Sequence, residues 1–255
     1  MNQKIEQLQT LLNQGKHILF FTGAGVSTDS GIPDFRSTTG LYASAYDYPP
    51  ETILSHTFFI NNTASFYRFY REKMLPKKAE PNRVHRFIAE MEKCGRSIGV
   101  VTQNIDGLHQ KAGSKNVYEL HGSILRNYCM HCHAFYGADQ IKNSPGIPRC
   151  PKCNGIIKPD VVLYEEALDE TVIVQASHAV KQADILIVLG TSLLVYPAAG
   201  LLHLFHGQKL VLINRDPTPF DHQADLLLQT SLRSVFSCLK IPTPIESPDR
   251  KNNTL

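Results

Sequence analysis

Phe20-Phe21-Thr22-Gly23-Ala24-Gly25-Val26-Ser27-Thr28-Asp29-Ser30-Gly31-Ile32-Pro33-Asp34-Phe35-Arg36 is the stretch on which the reading of this chain turns. The residues before it, His17 to Thr22, form a short apolar run that suits a buried parallel strand. Two glycines flanking one alanine then let backbone approach a ligand closely. Such a turn presents free N–H groups at the start of a helix, where a diphosphate binds well. The full G-x-G-x-x-G pattern is absent, because Thr28 stands at its third position. A small-residue turn that serves strand-to-helix packing alone is the competing reading. Beyond it, Phe35 is placed to cover a flat ring and Arg36 to face a phosphate.

The bounds are those of a globular protein. At 255 residues there is room for one large domain or two small ones, and 42% hydrophobic with 19% charged residues fits a packed core. A net charge of +3 is too mild to signal nucleic acid. The residues from Met1 onward lack a signal-peptide core, and no apolar run approaches the ~18 residues of a membrane helix. A cytoplasmic location is expected, where six cysteines read as metal ligands or free thiols.

Outward from the opening stretch, apolar strands alternate with helices. Residues 3–14 predict a helix with Ile5, Leu8, Leu11 and Leu12 on one face. Residues 38–55 read as a loop, and Thr57 to Leu75 as one aromatic-rich helical run whose rings face the core. Asn82 caps a helix bearing Val84, Phe87, Ile88 and Met91. Strands are expected at Ser97–Thr102, Val117–Leu120, Ala183–Leu189 and Lys209–Ile213, with an extended run over Lys158–Tyr164. Helices are expected over Leu168–Gln182, after Pro197 at a first-turn position with Leu201, Leu202 and Phe205 inside, and over 231–240; 241–255 reads as a loose tail. This pattern is a doubly wound, Rossmann-like, mostly parallel α/β sheet, whose ligands sit at the carboxyl ends of the strands. Gln103 to Asp106, His121, Thr191-Ser192 and Asn214 each follow an apolar run, which puts them on one rim with the Gly-Ala-Gly turn.

Cys129-x-x-Cys132 and Cys150-x-x-Cys153 carry the spacing of a structural zinc site. Four thiolates leave no open position, so the metal does no chemistry and supplies folding energy to a short polar segment. His131 and His133 are expected in solvent, and Cys94 and Cys238 as small buried residues. A zinc ribbon that binds nucleic acid is disfavoured by sparse basic clustering.

The opening stretch resembles the cofactor loop of the sirtuins, the NAD-dependent protein deacylases. The resemblance recurs in order over residues 1–240, in Thr102-Gln103-Asn104-Ile105-Asp106-Gly107-Leu108-His109, Glu119-Leu120-His121-Gly122, the two cysteine pairs, Gly190-Thr191-Ser192-Leu193 and Ile213-Asn214. It implies a Rossmann-like domain over 1–37, 83–123 and 159–255, a helical insertion over 38–82 and a zinc-binding small domain over 124–158. It implies NAD and one structural zinc as cofactors and acetylated-lysine proteins or peptides as partners, with no nucleic acid or membrane.

The implied reaction moves the acetyl group of acetyl-lysine to ADP-ribose, giving free lysine, nicotinamide and O-acetyl-ADP-ribose. The acetyl oxygen attacks the anomeric carbon of the nicotinamide ribose, where oxocarbenium character develops. His121 then acts as base toward a ribose hydroxyl. By the same resemblance, Asn104 orders the ribose and a water, Gln103 contacts ribose hydroxyls, and Ile105 and Asp106 hold the carboxamide under Phe35. Ala24, Thr28 and Arg36 serve the phosphates; Thr191, Ser192, Asn214 and Leu232 complete the cofactor contacts. Val162 and Tyr164 line the acyl-lysine path.

Two departures stand out. Tyr164-Glu165-Glu166 replaces the family's usual Phe-Gly-Glu, and Glu165 is placed to attract a basic peptide. Members that remove succinyl groups carry Tyr-x-x-Arg; here Tyr67 is followed at that distance by Tyr70, with Arg71 one residue later, a turn of about 100° on a helix. Uncharged acyl groups are therefore expected. The rival readings are protein ADP-ribosyl transfer, deacylation of longer uncharged chains, a nicotinamide dehydrogenase and a non-enzymatic zinc module.

Overall fold

The structure, a computed structural model, describes residues 2–34, 48–75 and 78–245. In chain order its strands are β1 (Ile18–Thr22), β2 (Ser97–Thr102), β3 (Val117–Glu119), β4 (Gly122–Cys129), β5 (Phe135–Gly137), β6 (Ile157–Val161), β7 (Ile185–Leu189), β8 (Lys209–Asn214) and β9 (Leu226–Gln229). Six of them form one sheet in the order β3-β2-β1-β7-β8-β9, and every neighbouring pair is parallel. The chain winds outward from β1 in one direction and from β7 in the other. The crevice at the carboxyl ends of β1 and β7 is thus the switch point where such sheets bind ligands. β4, β5 and β6 make a separate antiparallel sheet in the order β5-β4-β6.

Both faces of the large sheet are covered, which is why its strands are apolar without alternation. On one face Ile18, Phe20, Val100, Ile187 and Val211 pack against three helices. These are α1 (Asn2–Gln14, through Ile5, Leu8 and Leu12), α5 (Arg83–Lys93, through Val84, Phe87 and Met91) and α9 (Leu232–Cys238, through Val235 and Phe236). On the other face Leu19, Phe21, Val101, Leu186 and Leu212 meet α8 (Glu170–Gln182) and the 3₁₀ segment Ala198–Leu204. Asn82 caps α5 as expected, and the imidazole of His85 returns the bond by accepting the Asn82 N–H. Such a reciprocal cap contributes about 1 kcal/mol.

Several expectations are corrected. The run Thr57–Leu75 is broken at Asn62, whose φ of −131° and ψ of 42° leave helical geometry. It becomes α3 (His56–Asn61), α4 (Thr63–Phe69) and one wide π turn over Tyr70–Met74. Its rings do face a core: Phe58, Phe59, Phe66, Tyr67, Phe69 and Tyr70 are all buried. Within the expected loop 38–55, residues 38–47 lie outside the described residues, while α2 (Pro50–Ile53) starts on a proline, whose missing N–H helix starts tolerate. Pro197 precedes the 3₁₀ segment as its cap after a cis Tyr196–Pro197 bond, and Phe205 ends it partly exposed. Cys94 is buried, but Cys238 is exposed at the end of α9. Residues 241–245 are anchored: Arg96 donates to the carbonyls of Gly15 and Thr243, and the Ile245 N–H donates to Cys94 O.

The third core joins segments far apart in sequence. Ile53, Phe58, Phe59, Phe66, Tyr67 and Tyr70 pack with Ile124, Cys129, Ile141, Ile157, Val161 and Leu163. The helical segment and the cysteine segment therefore share one hydrophobic interior. Tyr67 donates from its hydroxyl to Ile157 O, and Arg71 donates to the carbonyl of Ile141 in α7 (Ala138–Asn143; 2.8 Å) and to Gly146 O.

Candidate active site

The loop after β1 meets the loop after β7 backbone to backbone. The Gly23 N–H donates to Leu189 O (3.1 Å) and the Gly25 N–H to Gly190 O (2.8 Å). A Cβ on Gly25 would lie 2.8 Å from the Gly190 Cα, and Gly190 itself has φ +56°, so both positions need glycine. Val26 and Ser27 N–H groups bond back to Gly23 and Ala24 carbonyls. The expected row of outward N–H donors is thus mostly engaged within the fold. The turn continues as two short 3₁₀ pieces, Ala24–Val26 and Thr28–Ser30, in place of a helix, because these bonds reach back three residues.

Around this turn the polar residues at the strand ends are cross-linked. Asn104 is buried and donates from Nδ2 to Gly23 O (3.1 Å) and Ser27 Oγ (3.2 Å). Ser27 Oγ donates to Asp106 Oδ2 at 2.6 Å, and Asp106 Oδ1 accepts the Leu108 N–H at the start of α6 (Leu108–Ala112). Burial pushes the Asp106 carboxyl above its ordinary range, opposed by these two donors. His85 Nδ1 accepts the Asn82 N–H, so its Nε2 carries the proton and faces Ser27 Oγ at 3.5 Å. Gln103 donates to Thr191 Oγ1 (3.0 Å), bridging the ends of β2 and β7.

His121 lies between β3 and β4 and is held from two sides. Its Nδ1 is 3.1 Å from Gln103 O, a pairing that puts the proton on Nδ1 and leaves Nε2 as the basic nitrogen. Its carbonyl accepts the Val162 N–H (3.1 Å). Burial lowers its pKa, so the ring is neutral near pH 7. The next residue, Gly122, has φ +75°, and a Cβ there would stand 2.0 Å from Asp160 O. That contact seats His121 tightly between the two sheets.

The other expected site residues are placed as follows. Ala24 and Thr28 lie in the turn, with the Thr28 hydroxyl on Gly25 O. Ile105 packs beside the third core and its carbonyl accepts the Ile124 N–H. Ser192 follows Thr191 in the β7 loop; Asn214 ends β8 and donates to Asp216 O. Leu232 is buried at the first turn of α9, so its side chain belongs to the core. Val162 is half-buried and Tyr164 exposed. Phe35 and Arg36 lie outside the described residues. Ser27, Thr22, Thr102, His85 and His109 belong to the same polar network and were not singled out from sequence; a polar residue ending an apolar strand was the available signal.

The four cysteines converge. Their sulfurs all lie within 4.8 Å of one another, with Cys129–Cys153 at 3.4 Å and Cys132–Cys150 at 3.6 Å. A zinc ion with Zn–S bonds of about 2.3 Å needs sulfurs about 3.8 Å apart, so the set fits one tetrahedral ion. The two pairs sit on matching turns: His133 N–H donates to Cys129 O and Asn154 N–H to Cys150 O, both donors at positive φ. His131 and His133 are exposed and outside the cluster. Tyr136 places its hydroxyl 3.0 Å from Cys150 Sγ, a supporting contact not read from sequence.

Comparison with known proteins decides the family. Residues 23–197 match the model of the Sir2 family. The chain belongs to the Sir2 family. A Clostridium acetobutylicum protein named NAD-dependent protein deacetylase is 55% identical over 236 residues, covering 91% of this chain and 96% of its own. A Staphylococcus epidermidis protein of the same name is 47% identical, covering 91% and 95%. A solved Sir2 complex with a p53 peptide and NAD+ superposes with a TM-score of 0.83 at 39% identity, covering 91% of this chain and 95% of that one. Another, with deacetylated p53 peptide and 3'-O-acetyl ADP ribose, gives 0.85 at 38%, covering 91% and 96%.

Against the Sir2 pattern the two departures acquire structure. Glu165 has φ +76°, a left-handed conformation that favours glycine, and its carboxylate accepts the Thr57 N–H (2.9 Å) in the first turn of α3. It therefore caps α3 while it stays exposed, with its pKa lowered by the Thr57 bond. Glu166 holds His56 Nδ1 (2.8 Å), Lys158 Nζ (3.0 Å) and the Leu163 N–H (2.9 Å). Arg71 and Tyr67 direct their donors at carbonyls of the cysteine segment.

Proposed function

We propose that this chain is an NAD-dependent protein-lysine deacetylase. The observation that carries the reading is the junction at His121, whose ring is tied to Gln103 on the cofactor side and whose backbone is tied to Val162 on the acyl-lysine side. One group thus faces both reactants. NAD supplies an electrophilic anomeric carbon whose leaving group is nicotinamide. Asp106, Ile105 and Phe35 orient the carboxamide; Asn104 and Gln103 hold the ribose; Ala24, Thr28 and Arg36 face the phosphates; Thr191, Ser192, Asn214 and the Leu232 backbone take the adenosine side. His121, neutral with Nδ1–H fixed on Gln103 O, accepts a ribose hydroxyl proton at Nε2 so that the oxygen can attack the acyl carbon. Val162 and Tyr164 flank the acyl-lysine chain. A zinc ion held by Cys129, Cys132, Cys150 and Cys153 would have no open position and so would supply no step, only stability to the small lobe.

The division into a Rossmann-like part (1–37, 83–123, 159–255), a helical insertion (38–82) and a zinc part (124–158) is supported by the two sheets, with the last two sharing one core. Acetylated proteins or peptides are the partners, and the cytoplasm is the compartment. Among the described residues no helix is long and apolar enough to cross a membrane.

The test is mass spectrometry of an acetyl-lysine peptide incubated with the protein and NAD, beside His121→Ala. Loss of the acetyl group with O-acetyl-ADP-ribose formed, both abolished in the variant, is the expected outcome. ADP-ribose attached to a protein on an intact acetyl-peptide background would replace this reading with transferase activity.

A further inference from the structure

Beneath the cofactor cleft lies a second buried histidine that the reaction above leaves without a task. His109 sits in α6, is 1% exposed, and has Nε2 3.1 Å from Thr22 Oγ1. Thr22 Oγ1 donates to Thr102 Oγ1 (2.8 Å), and Thr102 Oγ1 accepts the backbone N–H of Asn104 (3.0 Å). Thr22 and Thr102 are opposite partners at the carboxyl ends of β1 and β2, and both are buried. Because the Thr22 proton goes to Thr102, Thr22 must accept from His109, and the histidine proton is on Nε2. The opposite ring nitrogen, Nδ1, is buried and has no hydrogen-bond partner among the described residues. A bare buried acceptor is tolerated better than an orphaned N–H, which agrees with that tautomer.

We propose that His109 is a positioning residue for the transfer reaction, acting through Thr22 and Thr102 to fix the backbone of Asn104. The inference rests on the deacetylase reading. The geometry is directional. A proton donor on α6 orders two hydroxyls that would otherwise rotate, and the second hydroxyl pins the residue whose side chain reaches Gly23 and Ser27. Loss of the donor frees both hydroxyls and lets Asn104 drift from the position in which it meets the ribose. Positioning errors of this kind appear in turnover. The acetyl-peptide is held elsewhere, by the Val162–Tyr164 wall, so its KM is insulated. The His85 ring touches His109 edge to face (4.9 Å) and serves the parallel line through Ser27, so the two histidines support the two ends of the same cofactor segment.

Three variants test this with NAD and an acetyl-lysine peptide, each confirmed as folded by circular dichroism. His109→Leu removes the donor, Thr22→Val removes the relay hydroxyl at constant shape, and His109→Gln offers an amide N–H near the Nε2 position. His109→Leu and Thr22→Val are expected to lower kcat by about tenfold or more, as loss of one oriented hydrogen bond does, with peptide KM within about twofold. His109→Gln is expected to recover most of the rate. Equal rates for the Leu and Gln variants, or a Thr22→Val protein at the wild-type rate, overturn the inference. A wild-type protein that consumes no NAD overturns the deacetylase reading itself, an outcome distinct from either.

Discussion

The hydroxyl of Ser27 donates to Asp106 Oδ2 across 2.6 Å, joining the turn after β1 to the turn after β2. Burial pushes this carboxyl upward and Ser27 opposes that push. Ser27→Ala therefore raises the pKa of Asp106 further. Where the carboxylate form is the one that holds the carboxamide, activity falls by about tenfold or more near neutrality. The acid limb of the kcat/KM profile moves to higher pH, and a pH–rate profile that keeps its acid limb in the variant contradicts the assignment.

The paired buried histidines set a pH dependence of stability. Burial lowers His85 to about 4 and His109 to about 3, from an ordinary 6.5. As pH falls below 6.5 the unfolded chain binds protons that the folded chain refuses, so stability is lost on acidification. The loss is about 1.4 kcal/mol per pH unit for each histidine. Denaturant unfolding at pH 7 and pH 5 should differ by about 2 kcal/mol per histidine, and His109→Gln should remove one share. Equal stability at the two pH values would contradict it.

At Glu165 the usual ranking of alanine over glycine is expected to invert. Its φ of +76° favours glycine, while its carboxylate caps α3 through Thr57. Glu165→Gly loses the cap and relieves the backbone strain of a positive φ. Glu165→Ala loses the cap and keeps the strain. Thermal denaturation should rank glycine above alanine by about 1 kcal/mol.

Removal of zinc should disable the enzyme without unfolding the large sheet. Cys129 and Cys150 lie in the same core as Phe59, Tyr67 and Val161, next to the Val162 wall. A strong chelator, or Cys132→Ser, is expected to cut deacetylation by more than about tenfold while much of the helical circular dichroism remains. Full activity in metal-free protein would show that the four sulfurs serve another purpose.

Succinyl-lysine peptides should be cleaved more slowly than acetyl-lysine peptides. Arg71 and Tyr67 are turned onto the carbonyls of Ile141, Gly146 and Ile157, which leaves them unavailable to an acidic acyl group. A competition assay read by mass spectrometry gives the ratio directly, and a faster succinyl reaction overturns this account.

The large sheet was legible because its central strands, buried on both faces, are apolar throughout, and Thr22, Gln103, His121, Thr191 and Asn214 stand at or just after strand ends. β9 escaped notice because Leu226–Gln229 is short and flanked by loops. The break at Asn62 falls in the polar stretch Asn61-Asn62-Thr63-Ala64-Ser65, which separates two aromatic clusters that the helical reading had joined. At the site, His121 and the cysteines stood out by type and spacing. Ser27, Thr22 and Thr102 did not, since a hydroxyl's role depends on a partner some 80 residues away. Likewise the Gly25–Gly190 contact joins two loops that no local pattern connects.

The order in which the cores close follows from who contributes to them. The aromatic interior that holds the cysteines draws on residues from Ile53 to Leu163. The interior under α1 draws on residues from Ile5 to Leu239, and Gln9 clasps Lys240 through both backbone groups. During synthesis the metal-bearing lobe is complete in sequence while the final third of the chain is still being made. The first helix, by contrast, must wait for the last one. The small lobe can therefore form before the strands that complete the large sheet have been made.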